Sequence, residues 1–256
     1  MPNRGGKMTR INMHIHSKYS WDCNMTIKNI SSSMAKRKIR YGAITDHVEF
    51  DRENIDEVID KLKLRNKEID EVNKQREGKV TLLKAVEISE PHLYKDEVAR
   101  LSELDLDMIM GSIHNFDRTA KTDSEKAHAT YLYYVEMMKM IEAGQIDVIG
   151  HLDYIRRAYP NAYCSPNQVS EILHAIKDRK LVPEVNSSAK RRIGASVFPS
   201  STKLVDYKLI GGDNVTIGTD AHLPFDLLDN IEEAEELVKQ LKLQPIIYRE
   251  RKIEII

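Results

Sequence analysis

Ile11-Asn12-Met13-His14-Ile15-His16-Ser17 is the stretch whose reading decides the fold. It is an apolar run that ends in two histidines and a serine. In a strand, alternate side chains share a face, so His14 and His16 project the same way. Two imidazoles on one face at the end of a buried strand pack poorly and clamp a metal ion well. Such pairs are common, so the weight lies in repetition. Thr45-Asp46-His47, Glu87, His114, His151, and Asp220 with His222 each close an apolar run in the same manner.

Working outward, seven apolar runs read as strands: 10–17, 41–46, 80–88, 108–113, 147–152, 181–186 and 215–219. They are short and do not alternate strictly, as expected of strands buried on both faces. Helix-period segments lie between and after them: 26–38, 51–77, 95–104, 124–143, 165–179, 200–210 and 225–241. Ile55, Val58, Ile59, Leu62 and Ile69 mark the buried stripe of the second. Tyr131, Tyr134, Val135, Met138 and Ile141 are the expected core stripe of the fourth. Ser165 followed by Pro166 is a cap with a first-turn proline. Residues 245–256 read as a short strand or extended tail.

A βα unit repeated seven times argues for an α/β fold with a parallel sheet and helices outside. Closed into a TIM-like barrel, it brings every strand C-terminus to one rim, where such barrels build their sites. No linker divides the chain, so 10–256 is expected to form one domain, with 1–9 a flexible tail. The 256 residues are 41% hydrophobic, enough for a sizeable core, and the formal net charge of −1 is no footprint of a nucleic-acid binder. No apolar run approaches a membrane span, and no signal-peptide core opens the chain. Cys23 and Cys164 make no disulfide framework, which fits a reduced, cytoplasmic setting.

Of nine histidines, six (His14, His16, His47, His114, His151 and His222) fall at or just after a predicted strand end. His92, His128 and His174 lie in helical or loop segments. A single histidine is more often hydrogen-bonded or on the surface than a ligand. Six at one rim, joined by Asp46, Glu87 and Asp220, would be costly to bury without a cation. Mixed imidazole and carboxylate donors suit Zn²⁺, Mn²⁺ or Fe²⁺ better than Ca²⁺ or Mg²⁺. The donors are too many for one ion, so two or three ions sharing a bridging carboxylate are expected. The chemistry expected of such a site is hydrolysis of a phosphoester.

These residues resemble a known family. His14-x-His16, Thr45-Asp46-His47, Glu87, Gly111-Ser112-Ile113-His114, Gly150-His151 and Gly218-Thr219-Asp220-Ala221-His222 are similar to the motifs of the PHP (polymerase and histidinol phosphatase) family. Glu184-Val185-Asn186-Ser187-Ser188 resembles a segment of its histidinol-phosphate phosphatase branch. The ordered set, spanning about 10–241, carries more weight than any one motif. The resemblance implies a distorted (β/α)7 barrel with a trinuclear metal site. It implies one ion on His14, His16, Glu87 and Asp220, and a second on Glu87, His114 and His151. A third would take Asp22, His47 and His222. Asp22 is carried over by its spacing from His16; the alternative is a turn or helix-cap aspartate. Asp46 is expected to orient a ligand or cap a helix. Glu87, Asp220 and His222 are the expected catalytic residues.

A phosphate monoester also needs cations from the protein, and arginine offers a bidentate fork. Arg157 and one of Arg191 and Arg192 are the expected phosphate clamps, although each is equally readable as a solvated surface residue. Asn186 is a candidate to hydrogen-bond substrate from the barrel mouth. Trp21 either covers an organic leaving group or packs the first loop, and His92 is a candidate addition to the site. Val197-Phe198-Pro199-Ser200, Ala189 and the short Ser89-Glu90-Pro91-His92 loop depart from the branch pattern. They touch regions that shape the substrate and leave the ligand set intact. The resemblance implies a small-molecule phosphate ester as substrate, most specifically L-histidinol phosphate on a route to histidine. The alternatives are a PHP hydrolase acting on phosphotyrosine or nucleotide phosphates, and a non-catalytic metal-stabilised PHP module.

Overall fold

A computed structural model of the chain describes residues 10–76 and 78–256. The tail expected over 1–9 lies outside the described residues. Seven strands follow one another in sheet order: β1 Ile11–Ile15, β2 Tyr41–Val48, β3 Thr81–Ser89, β4 Met108–Ser112, β5 Val148–Ile149, β6 Val182–Asn186 and β7 Asn214–Gly218. Each pairs in parallel with the next. Beyond the end of β7 the chain returns to β1. Ala221 N–H donates to His14 O at 3.3 Å and His16 N–H donates to Ala221 O at 2.9 Å. The result is a single-domain α/β fold of the TIM-like kind, with all seven strand C-termini on one rim.

The helices are α1 Ile27–Arg37, α2 Ile55–Gln75, α3 Lys95–Leu101, α4 Asp123–Ala143, α5 Pro166–Asp178, α6 Ala189–Ile193, α7 Ser201–Leu209 and α8 Ile231–Gln240. Their starts follow local chemistry. Thr122 with Glu125 and Ser165 with Gln168 form reciprocal capping boxes at α4 and α5. α2 buries Val58, Leu62, Ile69 and Val72 on one face, and between them the polar Arg65 and Asn66. α4 departs from its expected stripe. It buries Tyr133, Tyr134, Met137, Met140 and Ile141, while Tyr131 is exposed. Apolar side chains occur all round this helix, so spacing alone does not select the buried face.

Residues 245–256 are neither a lone strand nor a tail. β8 Gln244–Arg249 and β9 Lys252–Ile255 form an antiparallel hairpin that joins the start of β7. The hairpin reaches residues that precede β4 and β5. Arg251 N–H donates to Asp107 O at 3.0 Å, Tyr248 Oη donates to Asp147 O at 3.2 Å, and the Arg251 guanidinium pairs with the Asp147 carboxylate. It therefore spans the N-terminal mouth of the barrel and leaves the opposite rim open. Among the described residues, no helix is long and apolar enough to cross a membrane.

Candidate metal centre

Parallel pairing places His47 on β2 level with Glu87 on β3, with His14 and His16 at the end of β1. The Glu87 carboxylate lies at the middle of the rim. Its Oε2 is 3.2 Å from His14 Nε2, 3.5 Å from His16 Nε2 and 3.2 Å from His47 Nδ1. Its Oε1 is 2.9 Å from His151 Nε2 and 3.4 Å from His114 Nε2. Asp220 Oδ1 lies 3.4 Å from His16 Nε2 and 3.8 Å from His14 Nε2. Asp22 Oδ2 stands 3.0 Å from His222 Nε2 and 3.6 Å from His47 Nε2. All nine residues expected as ligands thus meet in one cluster. Four overlapping groups could hold an ion: His14-His16-Asp220, His14-Glu87-His151, His16-His47-His222, and His47-Glu49-His114, the last through Glu49, a carboxylate outside the nine that was not singled out from the sequence.

Behind the cluster, hydrogen bonds orient the rings. His14 Nδ1 meets Glu184 Oε1 at 2.8 Å, His16 Nδ1 meets Ser20 Oγ at 3.0 Å, and His114 Nδ1 meets Ser89 Oγ at 2.7 Å. Ser112 Oγ donates to Glu87 Oε1 at 2.7 Å. Such partners fix the ring orientation and tautomer of a histidine ligand. None was singled out from the sequence for this role. The signal for Glu184 was present, because it is buried in β6 two residues before Asn186. The serines carried none, since a serine after a strand is ordinary. Asp220 takes a positive φ of 50°, a strained conformation for a residue other than glycine.

The electrostatics show how strongly the groups are coupled. Burial disfavours the Glu87 carboxylate, yet the His14 and His114 imidazoles hold it well below the ordinary carboxylate range. Asp220 is also held low, against burial, by His16 and its neighbours. Burial opposes protonation of His47, but the carboxylates of Asp22 and Glu87 carry it up to about 10. His16 is driven well down, by burial first and by the His47 cation next. Two facing nitrogen pairs test the fit of a cation. His14 Nε2 and His16 Nε2 are 3.1 Å apart, and His114 Nε2 and His151 Nε2 are 3.4 Å apart. Each pair lies close enough for its two rings to share one proton or one cation between them. His47 Nδ1, although near Glu87, is buried without a hydrogen bond. The N and O donor set fits divalent metal ions.

Above the cluster opens a cavity of about 390 Å³, walled by Trp21, Arg52, Arg118, Tyr154, Arg157 and Arg192. A larger hollow of about 730 Å³ between α5 and α7 holds none of the cluster residues. Tyr154 packs its ring against His151 and His114, at 4.6 and 4.9 Å between centroids, and Arg157 lies over Tyr154 at 4.6 Å. Arg157 Nη1 is 3.9 Å from Asp220 Oδ2. Trp21 is 69% exposed and stacks towards His47, so it walls the cavity rather than the first loop's core.

Three expectations are corrected by this geometry. Arg191 does not line the cavity. It donates to Thr219 O at 2.8 Å, to Asp220 O at 2.6 Å and to Asp229 Oδ2 at 3.2 Å, so its guanidinium is spent on the chain around Asp220. Asn186 is fully buried and does not line the cavity; its Oδ1 accepts from Ser188 N–H at 2.9 Å and its Nδ2 is left without a hydrogen-bond partner among the described residues. His92 pairs with Glu136 on α4 at 2.9 Å and stands outside the cluster. Asp46 takes the orienting alternative: it accepts from Ser17 and Ser20.

The fold and this rim define a metallohydrolase-like barrel, and the chain belongs to the PHP domain family, whose profile matches residues 12–188. Among curated relatives, a probable histidinol-phosphatase of Clostridium acetobutylicum is 27% identical over 254 residues, covering 93% of this chain and 96% of that protein. A probable histidinol-phosphatase of Thermotoga maritima is 27% identical over 237 residues, covering 91% and 93%. The fold also matches the crystal structure of histidinol phosphate phosphatase from Lactococcus lactis, complexed with zinc, L-histidinol and phosphate. That match has a TM-score of 0.81 at 20% identity and covers 96% of this chain and 99% of that one.

Proposed function

We propose that this chain is a divalent-metal-dependent phosphatase that hydrolyses L-histidinol phosphate to L-histidinol and phosphate. The observation that carries the reading is the pairing of the histidine-carboxylate cluster with two arginines, Arg157 and Arg192, on the wall of the same cavity. The names of the relatives supply the substrate. The ligands would be His14, His16, Glu87 and Asp220 for one ion, Glu87, His114 and His151 for another, and Asp22, His47 and His222 for a third, with Zn²⁺, Mn²⁺ or Fe²⁺ the fitting metals.

When bound, ions of this kind acidify a water and neutralise the phosphoryl oxygens. The protein's own residues do the positioning. Glu87 presents one oxygen to each side of the cluster and so ties the ligand sets together. Asp220, reached by His16 and His222, anchors the side nearest Arg157. Arg157 and Arg192 hold the phosphate oxygens, and their fixed charge favours the transition state as the ester P–O bond breaks and a water oxygen bonds to phosphorus. Trp21 and Tyr154 give the organic part flat apolar surfaces.

The test is turnover of a panel of phosphate monoesters by the purified protein, before and after chelation and after return of Zn²⁺ or Mn²⁺. L-Histidinol phosphate is expected to give the highest kcat/KM, with activity lost on chelation and restored by metal. Preference for a phosphotyrosine peptide or a nucleotide would move the assignment within the family. Glu87→Ala is expected to abolish activity, and a fully active variant would overturn the mechanism.

A further inference from the structure

Arg65 is a fully buried arginine on α2, outside the cavity. Its Nη1 lies 3.5 Å from Asp46 Oδ2 and 3.5 Å from the Ile44 carbonyl, and Asn66 Oδ1 accepts from its Nε and Nη2 at 3.2 and 2.9 Å. A buried guanidinium is expensive unless it is paired. Here the partner leads towards the metal cluster. Asp46 accepts from Ser17 N–H at 2.6 Å, from Ser17 Oγ at 2.8 Å and from Ser20 Oγ at 3.0 Å. Ser20 Oγ also receives His47 N–H at 3.0 Å and faces His16 Nδ1 at 3.0 Å.

Counting protons resolves the chain. A hydroxyl has one hydrogen to give and two lone pairs. A carboxylate beside a guanidinium only accepts, so the Ser20 hydrogen goes to Asp46. Both Ser20 lone pairs are then filled by N–H donors, one of them the backbone of His47. The other must be His16 Nδ1–H, which leaves the His16 Nε2 lone pair facing Glu87 and Asp220. We infer that Arg65 and Ser20 are positioning residues. Acting through Asp46, they fix His16 as the Nδ1–H tautomer with Nε2 presented to a divalent ion, and they set the backbone at Ser17 and His47.

The inference rests on the metal-binding reading and is independent of which ester is cleaved. The test is zinc affinity of the full chain, by chelator competition, for the wild type, Ser20→Ala, Arg65→Lys and the double variant. Each single change is expected to weaken zinc binding by about 10- to 100-fold. The double variant should lose little more than the worse single, because both act through one chain. Unaltered affinity in Ser20→Ala overturns the proposal, as do losses that multiply in the double variant. If Arg65→Lys does not fold, Ser20→Ala and the imidazole ¹⁵N spectrum of the zinc-loaded wild type decide. The expected signal is a hydrogen on His16 Nδ1, lost or exchanging faster in Ser20→Ala; a hydrogen on Nε2 overturns the proposal. A wild type that binds zinc normally beside an unaffected variant sinks the positioning role alone. A wild type that binds no divalent ion sinks the metal reading and this inference with it.

Discussion

Arg191 and Arg192 are neighbours in sequence with different surroundings. Arg192 lines the cavity, whereas Arg191 donates to the carbonyls of Thr219 and Asp220. Replacing Arg192 by Gln should raise KM for the phosphate ester by roughly tenfold or more, through loss of a charge-assisted contact, with zinc affinity unchanged. Arg191→Gln should do the reverse: it frees the strained Asp220 backbone and weakens metal binding by about tenfold, measured by chelator competition. The sequence marks both arginines as cationic and near the rim. It cannot divide their roles, because one residue along the short α6 turns the side chain by about 100°. Asn186 illustrates the same limit, since its strand position does not fix how deep in the barrel it lies.

At the scale of elements, the strands were readable because strands buried on both faces are continuous apolar runs closed by polar residues. The β8–β9 hairpin was less so. Its purpose lies in contacts with Asp107 and Asp147, more than 100 residues away in sequence. Asp147 also accepts from Ile109 N–H at 2.8 Å, so it ties β4, β5 and the hairpin together. Arg251→Ala should leave that largely buried carboxylate without its cation and cost about 2 kcal/mol. Denaturant unfolding checks the stability. The kcat should be unchanged, because the hairpin lies at the mouth opposite the cluster. α4 shows where periodicity fails: a helix that is apolar on several sides gives no unique stripe, and packing against Leu152 and Asp153 through Tyr133 and Tyr134 makes the choice.

For the whole molecule, the cluster ties folding to protons and metal. In the metal-free protein His47 titrates at about 10, above the roughly 6.5 of an unfolded histidine. A raised histidine contributes stability that is fully present below pH ~6.5 and is lost as pH rises towards 10. Asp22 is shifted downward by His222 and His47, so its contribution is present above the ordinary carboxylate value and is lost in acid. Thermal melts of chelated protein should therefore weaken between pH 6.5 and 10. Zinc-loaded protein should hold its midpoint over that range, because the ion replaces the proton. Metal in thousand-fold excess over its dissociation constant should add about 4 kcal/mol at 25 °C. Equal pH dependence of the two forms would count against the ion and the proton sharing these imidazoles.

By itself the sequence determined the βα rhythm, the rim and the identity of the cluster. Apolar runs and their polar ends are local patterns, and a parallel barrel converts their order into proximity. His14-x-His16, read first as a clamp, is one side of a cluster centred on Glu87. Only the tertiary structure decided which groups hold these ligands from behind. Glu184, Ser20, Ser89 and the buried Arg65–Asp46 pair come from separate elements, and their roles depend on distances of about 3 Å that no spacing along the chain specifies. The division between Arg191 and Arg192 has the same cause: charge is written in the residue type, but direction is set by the packing around it.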